Sequence, residues 1–321
     1  MKHLVEFIKE SLIIEGGNIW EDSSKIKMED IKPTLEQFVK TFRSIFPDLK
    51  KQWFDTADKL TTLGSVGKKP ISGDIDIAID SKAFEDTDQW GLDMQKVSQY
   101  FAQFKKRART ASDESIMHKA IVRCIAEKIN AANTAIVTNE KKSTGDEMFN
   151  QFDQYGTDGK PNGLRVQIDI NFGDIDWLKF AYYSDSYKGN VKGLHRTQLM
   201  LHLFAYKGYM FKHAEGVINK ETREVEAKHP EDAVKLLNKL YHFNITRDIL
   251  SNYFKTQEYL KKNLDEKELH AIWDIYLQTL DHTRCDIPED LQPYWMENQD
   301  RLKLTGKFLP EDSNLYKLRK A

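Results

Sequence analysis

The sequence predicts an α+β protein in which a β-sheet is preceded by a helical segment and followed by a long helical region. Three observations carry this. Apolar residues recur at three- and four-residue steps through "MEDIKPTLEQFVKTFRSIF", at Ile31, Leu35, Phe38 and Phe42, which is the period of an amphipathic helix. From Leu63 the period falls to two: Ile75, Ile77 and Ile79 alternate with Asp74, Asp76 and Asp80, apart from Ala78, as in a strand with one dry face. The alternation returns in "LRVQIDINF", where Val166, Ile168 and Ile170 face one way and Gln167, Asp169 and Asn171 the other.

The remaining elements follow in order. The start, "MKHLVEFIKESLII", places Leu4, Val5, Ile8 and Leu12 on one helical face, and Glu6 and Glu10 interrupt it too soon for a signal-peptide core. A loop around "EGGNIWEDSSK" leads to the helix from Met28, closed by Pro47. After the first aspartate strand, "LDMQKVSQYFAQFKKR" and "MHKAIVRCIAEKINAA" restore helical spacing, and "TAIVT" reads as a short strand. The polar, glycine-bearing stretch from Asn139 to Gly163 reads as an exposed loop or hairpin. Beyond the second aspartate strand, "HRTQLMLHLFAYKGYMF" is helix passing into strand, followed by a strand and turn around "EGVINKETREV". From Pro230 onward the pattern is helical, clearest in "PEDAVKLLNKLY" and "LDEKELHAIWDIYLQTL". The expected divisions are residues 1–56, 57–180, 181–245 and 246–321.

Composition narrows the functional classes. A chain of 321 residues that is 40% hydrophobic lies well inside the globular range. With 48 Lys+Arg against 50 Asp+Glu the net charge is -2, so a nucleic-acid partner would need a local basic patch rather than bulk charge. Cys124 and Cys285 have no C-x-x-C partner, which excludes a disulfide framework and a cysteine zinc cluster. No stretch has the apolar length of a membrane span. The expectation is a soluble, cytoplasmic protein with no membrane partner.

The chemistry concentrates in "LGSVGKKPISGDIDIAID", Leu63 to Asp80. Residues two apart on a strand share a face about 6.5–7 Å apart, so Asp74 and Asp76 are placed to share metal ions. Asp169 lies on the polar face of a second strand and would join them if the strands were neighbours. Three hard oxygen ligands suit magnesium or manganese rather than zinc. Two such ions about 3.5–4 Å apart activate an attacking hydroxyl and stabilise departing pyrophosphate. The Gly64-Ser65 turn offers close backbone approach and a hydroxyl to a triphosphate, with Lys68 as a nearby cation. An EF-hand is excluded, because "DIDIAIDSKAFE" carries an apolar residue where the loop needs glycine. A P-loop is excluded because "GSVGKK" lacks the G-K-[ST] ending.

Taken together, "GSVGKKPISGDIDIAI" resembles the G-S and D-x-D signature of the polymerase-beta-like nucleotidyltransferase superfamily. The run Ser72-Gly73-Asp74-Ile75-Asp76 is similar to that of family X DNA polymerases. "VQIDINF" resembles that family's third-carboxylate strand, and "FAYYSDSYKGN" its aromatic turn at the incoming sugar and base. "KGYMFKHAEGVINKETREVEAKHPEDAVKLLNKLY" looks, more loosely, like the end of the family's thumb. The resemblance covers about residues 57–245.

It implies a nucleotidyltransferase palm with a mixed β-sheet over 57–180 and a thumb-like nucleotide- and acceptor-binding region over 181–245. By it, Asp74 and Asp76 would hold two Mg2+ ions, with Mn2+ an alternative, and Asp169 the catalytic one. Gly64, Ser65, Lys68, Ser72 and Gly73 would contact the triphosphate. Tyr182, Tyr183 and Ser186 would contact the nucleotide, and Arg196 the template or base pair. The chain departs from the family in three ways: the Ser65–Asp74 spacing is one residue shorter, Lys68 replaces an arginine, and Asp185 and Tyr183 replace a glycine and a phenylalanine. No helix-hairpin-helix glycine signature or lyase lysine occurs in the first 60 residues.

The implied reaction transfers a nucleoside monophosphate from an NTP or dNTP to a hydroxyl, most readily a nucleic-acid 3' end of DNA or tRNA-like RNA. Two alternatives stand beside it: nucleotidylation of a protein or small molecule, and a catalytically silent nucleotide- or RNA-binding module. Elsewhere, Asp174 and Asp176 read as a loop or helix cap, and His195 and His202 as residues that pack or sit at the surface rather than bind metal. Lys105, Lys106, Arg107 and Arg109 read equally as a solvated helix end or a phosphate contact.

Overall fold

The computed structural model describes residues 19–108, 111–183, 185, 190–283 and 285–302. The expected helix over Met1–Ile14, together with Arg109 and Ser186, lies outside the described residues. The protein is α+β, as the two hydrophobic periods predict. It divides into two compact units, one within Gly16–Lys179 and the other within Phe180–Ala321.

In the first unit, β1 (Ile26–Lys27) leads directly into α1 (Met28–Ile45). The apolar stripe of α1, from Ile31 through Phe42 to Ile45, is buried. Phe38, Phe42, Phe46, Phe54, Trp90 and Phe152 pack there ring against ring, and the sheet residues Ile75, Ile77, Val166 and Ile168 belong to the same core. The helix placed by sequence in a separate N-terminal segment therefore shares one core with the sheet.

Among the described residues, five strands form a mixed sheet in the order β2 (Thr61–Thr62), β4 (Ile75–Asp80), β7 (Pro161–Gly173), β6 (Glu147–Tyr155) and β5 (Val137–Thr138). β4 and β7 run parallel, and the other neighbours are antiparallel. The parallel pair is reached through a long crossover that includes α2 (Met94–Arg107) and α3 (Asp113–Ala131), as such pairs require. These two helices begin with capping side chains: Asp93 accepts from the Gln95 amide and Ser112 from that of Ser115. The short β3 (Ile71–Ser72) pairs with β1 instead of joining this sheet.

One expectation is corrected. The stretch after Asn139 forms a hairpin, one of its two readings, with β6 turning into β7 at Gly156–Lys160, but it is not exposed: β6 is an inner strand of the sheet. Asn150, Gln151 and Gln154 are buried there, which is possible because each amide is hydrogen-bonded. The polar side of β7 is covered as well, with Gln167, Asp169 and Asn171 at most 4% exposed.

α4 (Ile175–Ala181) follows β7, its first turn capped by Asp174, whose carboxylate accepts from the Trp177 amide. In the second unit, α5 (Gly193–Tyr206) packs against β8 (Tyr209–Lys212), which forms an antiparallel sheet with β9 (Gly216–Asn219) and β10 (Val225–Ala227). α6 (Pro230–Tyr241), α7 (Arg247–Leu250), α8 (Tyr253–Asn263), α9 (Glu266–His282) and α10 (Gln292–Asn298) complete it. Residues 181–245 and the helices after them thus fall within one unit. No helix among the described residues is long and apolar enough to cross a membrane.

Candidate active site

The parallel pairing of β4 with β7 sets Asp76 directly opposite Asp169, with Ile75 opposite Ile168 and Ile77 opposite Ile170. Paired residues project to the same face, so the isoleucines enter the core and the two carboxylates share the other side. Asp74 sits at the bend just ahead of β4, half-buried like Asp76. On the far side of β7, Glu147 of β6 pairs with Asn171, which adds a fourth carboxylate to this face.

The electrostatics follow from the crowding. Burial, and next the charge of Asp76, hold the Asp169 carboxyl well above the usual carboxylate range; Glu147 and Asp74 push in the same direction, while a hydrogen bond from Gln167 opposes them. Burial also pushes Asp74 up. Gln167 Nε2 donates to Asp169 Oδ2 at 2.8 Å, and Asn171 Nδ2 donates to Asp76 Oδ1 at 3.4 Å. Asp169 Oδ1 is buried and has no hydrogen-bond partner among the described residues. Asp76 and Asp169 are each turned toward an amide, and among the described residues no three His, Cys, Asp or Glu side chains stand arranged to hold a metal ion. Even so, the donors on this face are all oxygens, a chemistry that suits a hard divalent cation.

The glycine-serine turn lies at the same end of the sheet. β2 pairs with β4 and the Leu63 amide donates to the Asp76 carbonyl at 2.9 Å, so Gly64 and Ser65 follow directly beside the first aspartates. The turn closes with the Lys68 amide on the Ser65 carbonyl at 3.0 Å. Gly64 and Gly67 take left-handed φ values of 60° and 71°, which favour glycine. Lys68 is exposed. Ser72 is buried, and its Oγ has no hydrogen-bond partner among the described residues. Gly73 is exposed, and a Cβ there would meet nothing within 4 Å, leaving the backbone open to close approach.

The other candidates belong to the second unit. Tyr182 stacks on His213 with ring centroids 4.4 Å apart, and Tyr183 is 36% exposed. Arg196 is a correction. It is 1% exposed, its Nε donates to the Leu250 carbonyl at 2.7 Å and its Nη1 to the Phe180 carbonyl at 2.6 Å. A guanidinium so enclosed joins α5 to its neighbours and is not presented to a template. His195 and His202 are buried, His195 accepting from the Lys192 amide and His202 facing the Gln198 carbonyl and Thr279 hydroxyl, so both pack as expected.

Sequence reading missed Gln167, Asn171 and Glu147. The first two lie at even steps from Asp169 on its polar face, and that spacing was legible. Glu147 was not, because a stretch read as an exposed loop or hairpin gave no register that would set it beside Asp169.

No family model matches the sequence, and no curated protein matches it. Among solved structures, the chain is similar to Leishmania infantum polymerase beta in a ternary P/T complex. The identity is 12% and the TM-score 0.39, over 78% of this chain and 87% of that one. A likeness of that distance bears on neither activity nor partners.

Proposed function

We propose that the chain is a metal-dependent nucleotidyltransferase of the polymerase-beta-like type, with its active site on the polar face of the mixed sheet. One observation carries the reading: Asp76 and Asp169 face each other in a parallel register, beside a glycine-serine turn, with a buried Asp169 oxygen that has no hydrogen-bond partner among the described residues. Asp74, Asp76 and Asp169 would hold Mg2+ or Mn2+. When bound, such ions supply charge neutralisation for the triphosphate and a lowered pKa for an attacking hydroxyl.

The chain's own residues do the rest. The Gly64–Ser65 turn and open Gly73 backbone receive phosphate oxygens, the Ser65 and Ser72 hydroxyls donate to them, and Lys68 adds positive charge. The acceptor hydroxyl attacks the α-phosphate and pyrophosphate leaves. The acceptor we infer is a nucleic-acid 3' end, on the resemblance of the segment after Lys207 to a polymerase thumb.

The test is incubation with α-labelled ribo- and deoxyribonucleoside triphosphates, Mg2+ or Mn2+, and primed, single-stranded or absent nucleic acid. Label joining a 3' end in the wild type and not in Asp169→Asn supports the reading. Label on protein alone would replace the acceptor, and an absence of pyrophosphate release with every acceptor would remove the enzyme assignment.

A further inference from the structure

The Asp169 carboxylate is not held by its own strand alone. Gln167, two residues earlier and 2% exposed, makes a hydrogen bond at each end of its amide: Nε2 donates to Asp169 Oδ2 at 2.8 Å, and Oε1 accepts from the main-chain amide of Ile19 at 2.8 Å. The second bond decides the first. A primary amide presents a donor at one end and an acceptor at the other, so a main-chain N–H fixed on the oxygen end forces the NH2 end toward the carboxylate. The reverse orientation would set oxygen against oxygen and N–H against N–H.

Ile19 is itself fixed because the segment that follows it is tied to the sheet. Gln151 Nε2, on β6, donates to Asp22 Oδ1 at 2.7 Å and Ser23 Oγ at 3.1 Å. The Ser24 amide donates to the Arg165 carbonyl at 2.7 Å. A strap over residues 19–24 thus reaches the sheet at several points, one of them two residues from Asp169.

We propose that Gln167 is a positioning residue for Asp169 and that this strap holds Gln167 in the orientation that ties Oδ2 and leaves Oδ1 for a divalent cation. The proposal rests on the metal-dependent reading above. Partners that orient a metal-binding carboxylate are worth about 10- to 100-fold in metal affinity.

The test measures the Mn2+ dissociation constant by electron paramagnetic resonance for the full chain, Gln167→Met and Ile19→Pro. The first removes both ends of the relay at similar volume; the second removes the strap's N–H and leaves Gln167 in place. The expected result is a dissociation constant raised about 10- to 100-fold in Gln167→Met and raised less in Ile19→Pro. In both variants kcat should fall while KM for the triphosphate stays near wild type. A folded Gln167→Met with wild-type Mn2+ affinity overturns the proposal; should that variant fail to fold, wild-type affinity in a folded Ile19→Pro does so. A wild-type chain that takes no Mn2+ at all sinks the metal-dependent reading instead, and the two failures are told apart by that control.

Discussion

Asp169→Asn should invert its effect on stability according to whether a divalent ion is supplied. In the wild type, the folded Asp169 carboxyl titrates well above its ordinary value of 3.8 because of burial and the charges of Asp76, Glu147 and Asp74. Above pH 3.8 the folded state therefore retains a proton that the unfolded state has released. The sign follows from linkage: where the native state binds more protons, unfolding free energy falls as pH rises, by up to about 1.4 kcal/mol per pH unit for one group. The fall continues until the folded carboxyl ionises, and the burial of Asp74 acts in the same direction. Asparagine keeps the shape, still accepts from Gln167 and carries no charge, so its stability curve should be flatter. In EDTA the variant should match the wild type near pH 4 and exceed it progressively as the pH rises, until the folded carboxyl ionises. With Mn2+ at about a hundred times its dissociation constant, the wild type should gain about 2.7 kcal/mol and the variant little, which reverses the order. Urea unfolding followed by circular dichroism across that pH range, with EDTA and with Mn2+, reads both effects. Parallel curves for the two proteins in EDTA would refute the electrostatic argument, and equal Mn2+ stabilisation would refute Asp169 as a ligand. Because an outer partner of a ligand is worth up to about 100-fold, loss of this carboxylate should lower nucleotide transfer by more than about 100-fold.

Four further outcomes separate backbone, phosphate and packing roles. Gly67→Ala should cost about 1–2 kcal/mol through its left-handed φ of 71° alone, since a Cβ would meet nothing within 4 Å. Gly73→Ala, at an ordinary φ with the same open space, should unfold like the wild type yet transfer nucleotide more slowly. Lys68→Ala should raise KM for the triphosphate at low salt and leave the unfolding midpoint unchanged, because Lys68 is exposed; an unchanged KM would remove it from the phosphate site. Arg196→Ala should destabilise the second unit by about 3 kcal/mol by stripping hydrogen bonds from buried carbonyls of Phe180 and Leu250, visible in thermal unfolding. A folded Arg196→Ala with an altered KM and unaltered stability would restore it to the binding machinery.

What could be read from sequence is the part governed by one-dimensional periodicity. Ile75, Ile77 and Ile79 against Asp74, Asp76 and Asp80 announced a strand, as did Val166, Ile168 and Ile170 against Gln167, Asp169 and Asn171. The glycine-serine turn before them was legible through its residue types. Parallel pairing in register was not, since no local signal says that Asp76 will lie opposite Asp169 rather than two positions away; that is set by the long crossover and the core beneath. β6 was hidden for a different reason. In "EMFNQFDQY" three of the polar residues are buried: Asn150 bonds to the Ile168 carbonyl, Gln151 to Asp22 and Ser23, and Gln154 to the Ser24 carbonyl. A strand whose buried amides are satisfied by side chains and strap looks, in one dimension, like a loop.

The same property bears on how the candidate site is built. A sheet face lined by Asp76, Asp169 and Glu147 could not be covered by apolar side chains, because burying unpaired carboxylates against hydrocarbon is prohibitively costly. Here, Gln151, Gln167 and Asn171 stand among the acids, and the strap at residues 19–24 covers part of that face through hydrogen bonds. The amides are neutral, so they lower the desolvation cost without adding positive charge, and under the proposed reading a divalent cation would bind against the negative field of the acids. A basic residue in place of Gln167 would neutralise the field permanently. Gln167→Lys is therefore expected to stabilise the metal-free protein at neutral pH, to abolish the pH slope attributed to Asp169, and to weaken Mn2+ binding more than Gln167→Met does. Calorimetric titration with Mn2+ beside urea unfolding in EDTA reads this directly. Tighter Mn2+ binding by the lysine variant would show that the field on this face is not what recruits the ion.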